Sequence, residues 1–112
     1  DWIYPYLHAA AERMSTLVQR FPDAQGMQRW TLDQAARELL LAQSSDWAFI
    51  MKTGTSVEYA VRRQKTHIHR FDRLATMAES GSYDEGYLRE VAARDSPFPD
   101  MDYRIFQTRP WV

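Results

Sequence analysis

Apolar residues recur along this chain at alternating spacings of three and four, the period of a helix laid against a core. Ile3, Leu7, Ala10, Met14, Leu17 and Phe21 draw the first stripe. Asp1 stands where an N-cap belongs, Pro5 falls in the first turn where its missing N–H costs little, and Pro22 ends the pattern. Residues 23–30 read as a loop with Gly26 near its middle. Thr31-Leu32-Asp33-Gln34 has the form of a capping box and predicts a second helix through Ala35, Ala36, Leu39 and Leu40 to about Gln43. Ser44 and Ser45 loosen that helix, because their hydroxyls compete for backbone groups. Asp46 then caps a short turn from Trp47 to Lys52, which Thr53-Gly54 closes.

Thr55-Ser56-Val57-Glu58 is a second capping box. It opens the longest helix, in which Val57, Val61, Ile68, Phe71, Leu74, Ala75 and Ala78 keep phase until Gly81. Its outer face carries Arg62, Arg63, Lys65, Arg70 and Arg73. Ser82-Tyr83-Asp84-Glu85 predicts the cap of a fourth helix through Leu88, Val91 and Ala92, ending before Pro97. From Ser96 onward prolines and scattered aromatics predict an irregular tail packed over the helices, without the alternation of a strand. The pattern predicts an all-α fold, a bundle of four to five helices with an irregular C-terminal tail.

A length of 112 residues fits one domain, spanning 1–112. The chain opens at Asp1 already inside an amphipathic pattern, as expected of a segment of a longer protein. It has no cysteine, which excludes disulfides and thiolate metal sites and agrees with a reducing, cytoplasmic setting. A net charge of −1 with interspersed acids and bases argues against nucleic acid as a partner. No apolar run approaches the ~20 residues of a membrane span. Four Trp and six Tyr are many for a small helical domain, so some of them are expected to meet a ligand or a neighbouring domain.

Candidate chemistry is sparse. Of the histidines His8, His67 and His69, His67 falls on the apolar stripe and reads as a hydrogen-bonded core or interface residue. Positions i and i+2 do not share a helical face, so His67 and His69 are not a chelating pair, and neither a metal nor a cofactor is expected. Ser44 and Ser45 lack the setting of a hydrolase nucleophile. Asp33, Glu38, Asp46, Glu58, Asp72 and Glu79 lie on or beside helices. Glu38 and Glu58 read as water-facing, and none of the six adjoins a pattern that predicts a raised pKa. No catalytic residue is expected in this chain. Trp30 reads as a hydrophobic staple or an interface anchor.

Asp46-Trp47 differs from the rest. A carboxylate accepts hydrogen bonds from sugar hydroxyls, and an indole offers a flat apolar face to the C–H side of a pyranose. From the residues alone, Trp47 is divided between core packing and ligand contact.

The run Gln43-Ser-Ser-Asp-Trp-Ala-Phe-Ile-Met-Lys-Thr-Gly-Thr55, continuing to Glu58-Tyr59-Ala60 and His67-x-x-Arg70-Phe71, resembles the C-terminal helical domain of glycoside hydrolase family 57 glucan branching enzymes. The opening Asp1-Trp2-Ile3-Tyr4-Pro5-Tyr6-Leu7-His8 and the close Phe98-Pro99-Asp100-Met101-Asp102-Tyr103-Arg104 are similar to the same family. The resemblance implies a parent enzyme that cleaves an α-1,4-glucan, holds the fragment covalently and passes it to a 6-hydroxyl. Such retaining chemistry needs two carboxylates ~5–5.5 Å apart. In the family these belong to a preceding β/α barrel, whose motifs this chain does not contain. The resemblance implies that this domain docks on that barrel and supplies one wall of the cleft for amylose, amylopectin or glycogen chains. Asp46, Trp47, Trp2 and Ser45 would then be the substrate-binding residues. Three alternatives stand beside this expectation: a self-sufficient glucan-binding module, a helical protein-interaction domain, and the same domain of an α-amylase-type hydrolase.

Overall fold

The computed structural model describes residues 4–51, 57–96 and 98–106, and for 4, 45–51 and 57–60 the backbone alone. Among the described residues four helices follow one another: α1 Tyr4–Arg20, α2 Gly26–Met51, α3 Val57–Ser80 and α4 Glu85–Arg94. A 3-10 turn, Tyr103–Phe106, closes the described chain. The described residues contain no strand, and the all-α expectation holds. No described helix is long and apolar enough to cross a membrane.

The first stripe behaves as its spacing requires. Leu7, Ala10, Met14 and Leu17 are buried, and Phe21 packs against the core from its rim. Pro5 sits in the first turn, and the Phe21 amide gives α1 its last bond, to Leu17 O at 2.9 Å, before Pro22 intervenes. α3 ends where Gly81 adopts φ 73° and donates to Met77 O at 2.9 Å, a left-handed C-terminal residue that costs glycine no Cβ clash.

The second helix differs from its expected bounds at both ends. It starts at Gly26, and Thr31 lies inside it, its hydroxyl buried without a hydrogen-bond partner among the described residues. Tertiary packing outweighs the capping motif here. Met27 and Trp30 pack on the core, Gln28 Nε2 donates to Ala78 O at 3.3 Å, and Arg29 pairs with Asp33 one turn on. At the other end, α2 runs through Ser44, Ser45 and Asp46 to Met51, so Asp46 does not cap a new turn. Serine is within about 0.7 kcal/mol of alanine in a helix, too little to break one that only has to propagate. Thr55 and Ser56, the start of the second box, and Thr53-Gly54 lie outside the described residues.

α2 and α3 form an antiparallel hairpin and the principal contact of the molecule. Its register places Gln28 beside Ala78, Glu38 beside His67 and Ala42 beside Gln64. α1 lies across both helices, and Arg13 ties it to α3 through Glu79 at 2.7 Å and Asp72 at 3.3 Å. α4 packs on α2, its N-cap being Asp84 and not Ser82. The Asp84 carboxylate accepts from the Tyr87 amide at 3.0 Å and gains from the helix dipole as well. The tail packs over α1 and α2 as expected, with Met101, Tyr103 and Phe106 buried. Tyr103 fastens it: the hydroxyl donates to Phe21 O and accepts from the Ala24 amide at 3.1 Å, while its own amide donates to Asp33 Oδ1 at 2.9 Å.

Candidate functional site

The register of the α2–α3 hairpin puts polar side chains where both helices are buried. Thr31, Gln34 and Glu38 come from α2, and Gln64 and His67 from α3. Glu38, read from the sequence as water-facing, is 0% exposed. α2 lies between α3 on one side and α1, α4 and the tail on others, so little of its surface is left for solvent. Such a carboxylate persists in a core only when its oxygens are satisfied.

They are satisfied. His67 Nδ1 lies 2.7 Å from Glu38 Oε1, and Gln34 Nε2 donates to Glu38 Oε2 at 3.0 Å. The same Gln34 nitrogen donates to Asp95 O at 2.8 Å, while Gln34 Oε1 accepts from Arg37 Nη1 at 3.0 Å. Asp95, the residue that ends α4, accepts from Arg70 Nη1 at 2.6 Å, and its Oδ2 stands 3.6 Å from His67 Nδ1. Arg63 Nη2 approaches His67 Nε2 at 3.3 Å. A guanidinium can only donate, so that contact assigns Nε2 as the acceptor and leaves Nδ1–H to donate to Glu38.

Burial pushes the Glu38 carboxyl up to about 7, and the neighbouring Asp95 carboxylate pushes it the same way. The bonds from His67 and Gln34 offset part of that rise. The expectation that no carboxylate here has a raised pKa is therefore overturned. The covering groups include His67 of α3 and Asp95 at the end of α4, which lie remote in sequence.

His67 is the hydrogen-bonded core histidine that its position on the stripe predicts, and His69 faces out. Ligand atoms of Glu38, His67 and Asp95 lie within 4.8 Å of one another, a nitrogen–oxygen set that suits a divalent cation in composition. Binding one would require the Nδ1 proton to leave and a second cation to settle beside Arg70, so the trio fits a closed hydrogen-bond network better than a ligand set. The network opens on one side. A recess of about 290 Å³ adjoins it, lined by Arg62, Arg63, Thr66, His67, Arg70 and Asp95.

Of the residues expected to bind substrate, Ser45, Asp46 and Trp47 belong to the C-terminal half of α2, with their side chains outside the described set. They continue α2 and do not open the separate short turn that the sequence predicted. Asp46 stands about 12 Å along the helix axis beyond Glu38. Trp2 lies outside the described residues. One signal in the sequence pointed to the buried network: Thr31, Glu38 and Ala42 fall at helical spacing, and His67 sits on the facing stripe.

Residues 6–106 match the family described as 1,4-alpha-glucan branching enzyme, C-terminal. This chain belongs to that family. It is 37% identical over 102 residues to a 1,4-alpha-glucan branching enzyme of Thermococcus kodakarensis, a match covering 88% of this chain and 15% of the relative. Among solved structures, it is similar to the alpha-amylase AmyC from Thermotoga maritima, with a TM-score of 0.85 and 45% identity. That likeness covers 96% of this chain and 21% of the other. The branching-enzyme C-terminal domain therefore spans a small part of either relative's length.

Proposed function

We propose that this branching-enzyme C-terminal domain is one wall of an α-glucan cleft, docked on a catalytic β/α barrel of the same polypeptide. The parent enzyme would be of the family 57 retaining type, acting on amylose, amylopectin or glycogen chains in the cytoplasm. The observation that carries this reading is the match of nearly the whole chain to small portions of two much longer α-glucan-named proteins. In this reading the barrel makes and breaks bonds, and this domain grips the sugar chain. Water competes with the sugar acceptor for a glycosyl intermediate, and a wall that binds the acceptor and excludes water favours transfer. Asp46 would accept hydrogen bonds from glucosyl hydroxyls. Trp47 and Trp2 would shape the groove, and Ser45 would contribute a hydroxyl beside them.

The likeness to AmyC favours a second reading, in which the parent is an α-amylase-type hydrolase. One experiment separates the two and tests the wall. The intact protein acts on amylose while new α-1,6 linkages are followed by proton NMR and new reducing ends by colorimetry. Branching activity gives the former, and hydrolysis gives the latter alone. Asp46→Ala and Trp47→Ala are expected to lower the ratio of transfer to hydrolysis. An unchanged ratio in both variants removes Asp46 and Trp47 from the cleft.

A further inference from the structure

The recess beside His67 has a chemistry that a neutral glucan does not call for. Among the described residues its lining includes three arginines, Arg62, Arg63 and Arg70, and one carboxylate, Asp95. The described lining thus holds a surplus of two positive charges. Arg62 and Arg63 are neighbours on one turn of α3 and Arg70 stands two turns further on, along a helix anchored against α2.

Each is placed differently. Arg70 is held by Asp95 at 2.6 Å, which fixes its plane and leaves further N–H donors of the fork for a ligand. Arg63, an exposed residue, also touches His67 Nε2. Arg62 is exposed at the rim, its guanidinium without a hydrogen-bond or ion-pair partner among the described residues. The volume, about 290 Å³, is that of a site for a small molecule. Planar forks converging on one recess match the several oxygens of a phosphoryl group, which accepts two parallel bonds from each. A divalent cation would meet like charge there, and a neutral sugar would leave the surplus unanswered.

We propose that this recess binds a small phosphate-bearing anion, held by the forks of Arg62, Arg63 and Arg70. The proposed occupancy does not depend on the glucan reading.

The test is calorimetric titration of the intact protein with inorganic phosphate, with a hexose phosphate, and with glucose as the neutral control. Saturable binding of one anion per chain is expected, weakening with added chloride, with no signal from glucose. The inorganic arm tells whether the bare anion suffices, and the hexose phosphate arm whether its ester is preferred. Arg62→Ala removes a surface side chain that supports no bond among the described residues and is expected to weaken binding about tenfold, as loss of a charge-assisted pair does. Arg63→Ala provides a second, independent loss. Arg20→Ala, at the far end of α1, controls for overall charge and is expected to bind as the wild type does. Saturable binding that Arg62→Ala and Arg63→Ala both leave intact overturns the proposal. So does an equal loss in Arg20→Ala, or no saturable binding of either anion.

Discussion

Replacing Glu38 by glutamine tests the reading of the buried network through its dependence on pH. In the folded chain the Glu38 carboxyl is raised from an ordinary 4.5 to about 7. The native state therefore binds this proton more tightly than the unfolded chain does. Its contribution to stability is complete below pH 4.5 and is lost as the pH rises through about 7. A rise of that size corresponds to about 3 kcal/mol. Glutamine cannot titrate, so the Glu38→Gln variant lacks this slope. It also turns an N–H toward the Gln34 amide, which now donates to Glu38 Oε2, and that clash costs about 1–3 kcal/mol at every pH. Urea unfolding between about pH 5 and pH 8 reads both effects from the midpoints. The wild type is expected to be the more stable protein at the acid end, with its advantage shrinking by about 3 kcal/mol toward the alkaline end. An advantage that stays constant or grows with pH would refute the reasoning. Glu38 would then be ionised throughout the range, and its donors would outweigh its burial.

Two further changes test how the ends of the structure are secured. Tyr103→Phe keeps the buried ring but leaves Phe21 O and the Ala24 amide without their shared hydroxyl, for an expected loss of about 1–3 kcal/mol in urea unfolding. Hydrogen exchange at Ala24 should quicken with it, and an unchanged rate would mean that the tail is held by its apolar residues alone. Asp84→Ala removes the N-cap of α4 and is expected to cost about 1 kcal/mol by thermal unfolding. Its exposed pair with Arg73 adds little. Arg73→Ala should therefore leave the melting temperature nearly unchanged, whereas an equal loss in both would assign the effect to the ion pair.

The helices were legible wherever one local signal governed them. Leu7, Ala10, Met14 and Leu17 announce a buried stripe by spacing alone, and Gly81 marks a helix end because few other residues take its backbone angles. The family, too, was readable from the run around Ser45-Asp46-Trp47. Local signals failed where a longer-range contact competed. Thr31-x-x-Gln34 has the letters of a capping box, yet Gln34 is drawn into bonds with Glu38 and Asp95, and the helix begins five residues earlier. The weak break at Ser44-Ser45 gave way to simple propagation of α2.

The sequence alone therefore determined what depends on neighbours along the chain: helix periodicity, most of the stops, the all-α class and the family motif. It also placed His67 on a buried face. Only the tertiary structure decided that Glu38 lies inside, that its partners are His67 on α3 and the end of α4, and that three arginines ring one recess. The physical reason is that a carboxylate's environment is set by residues 29 and 57 positions away, and periodicity says nothing about which helix will cover it.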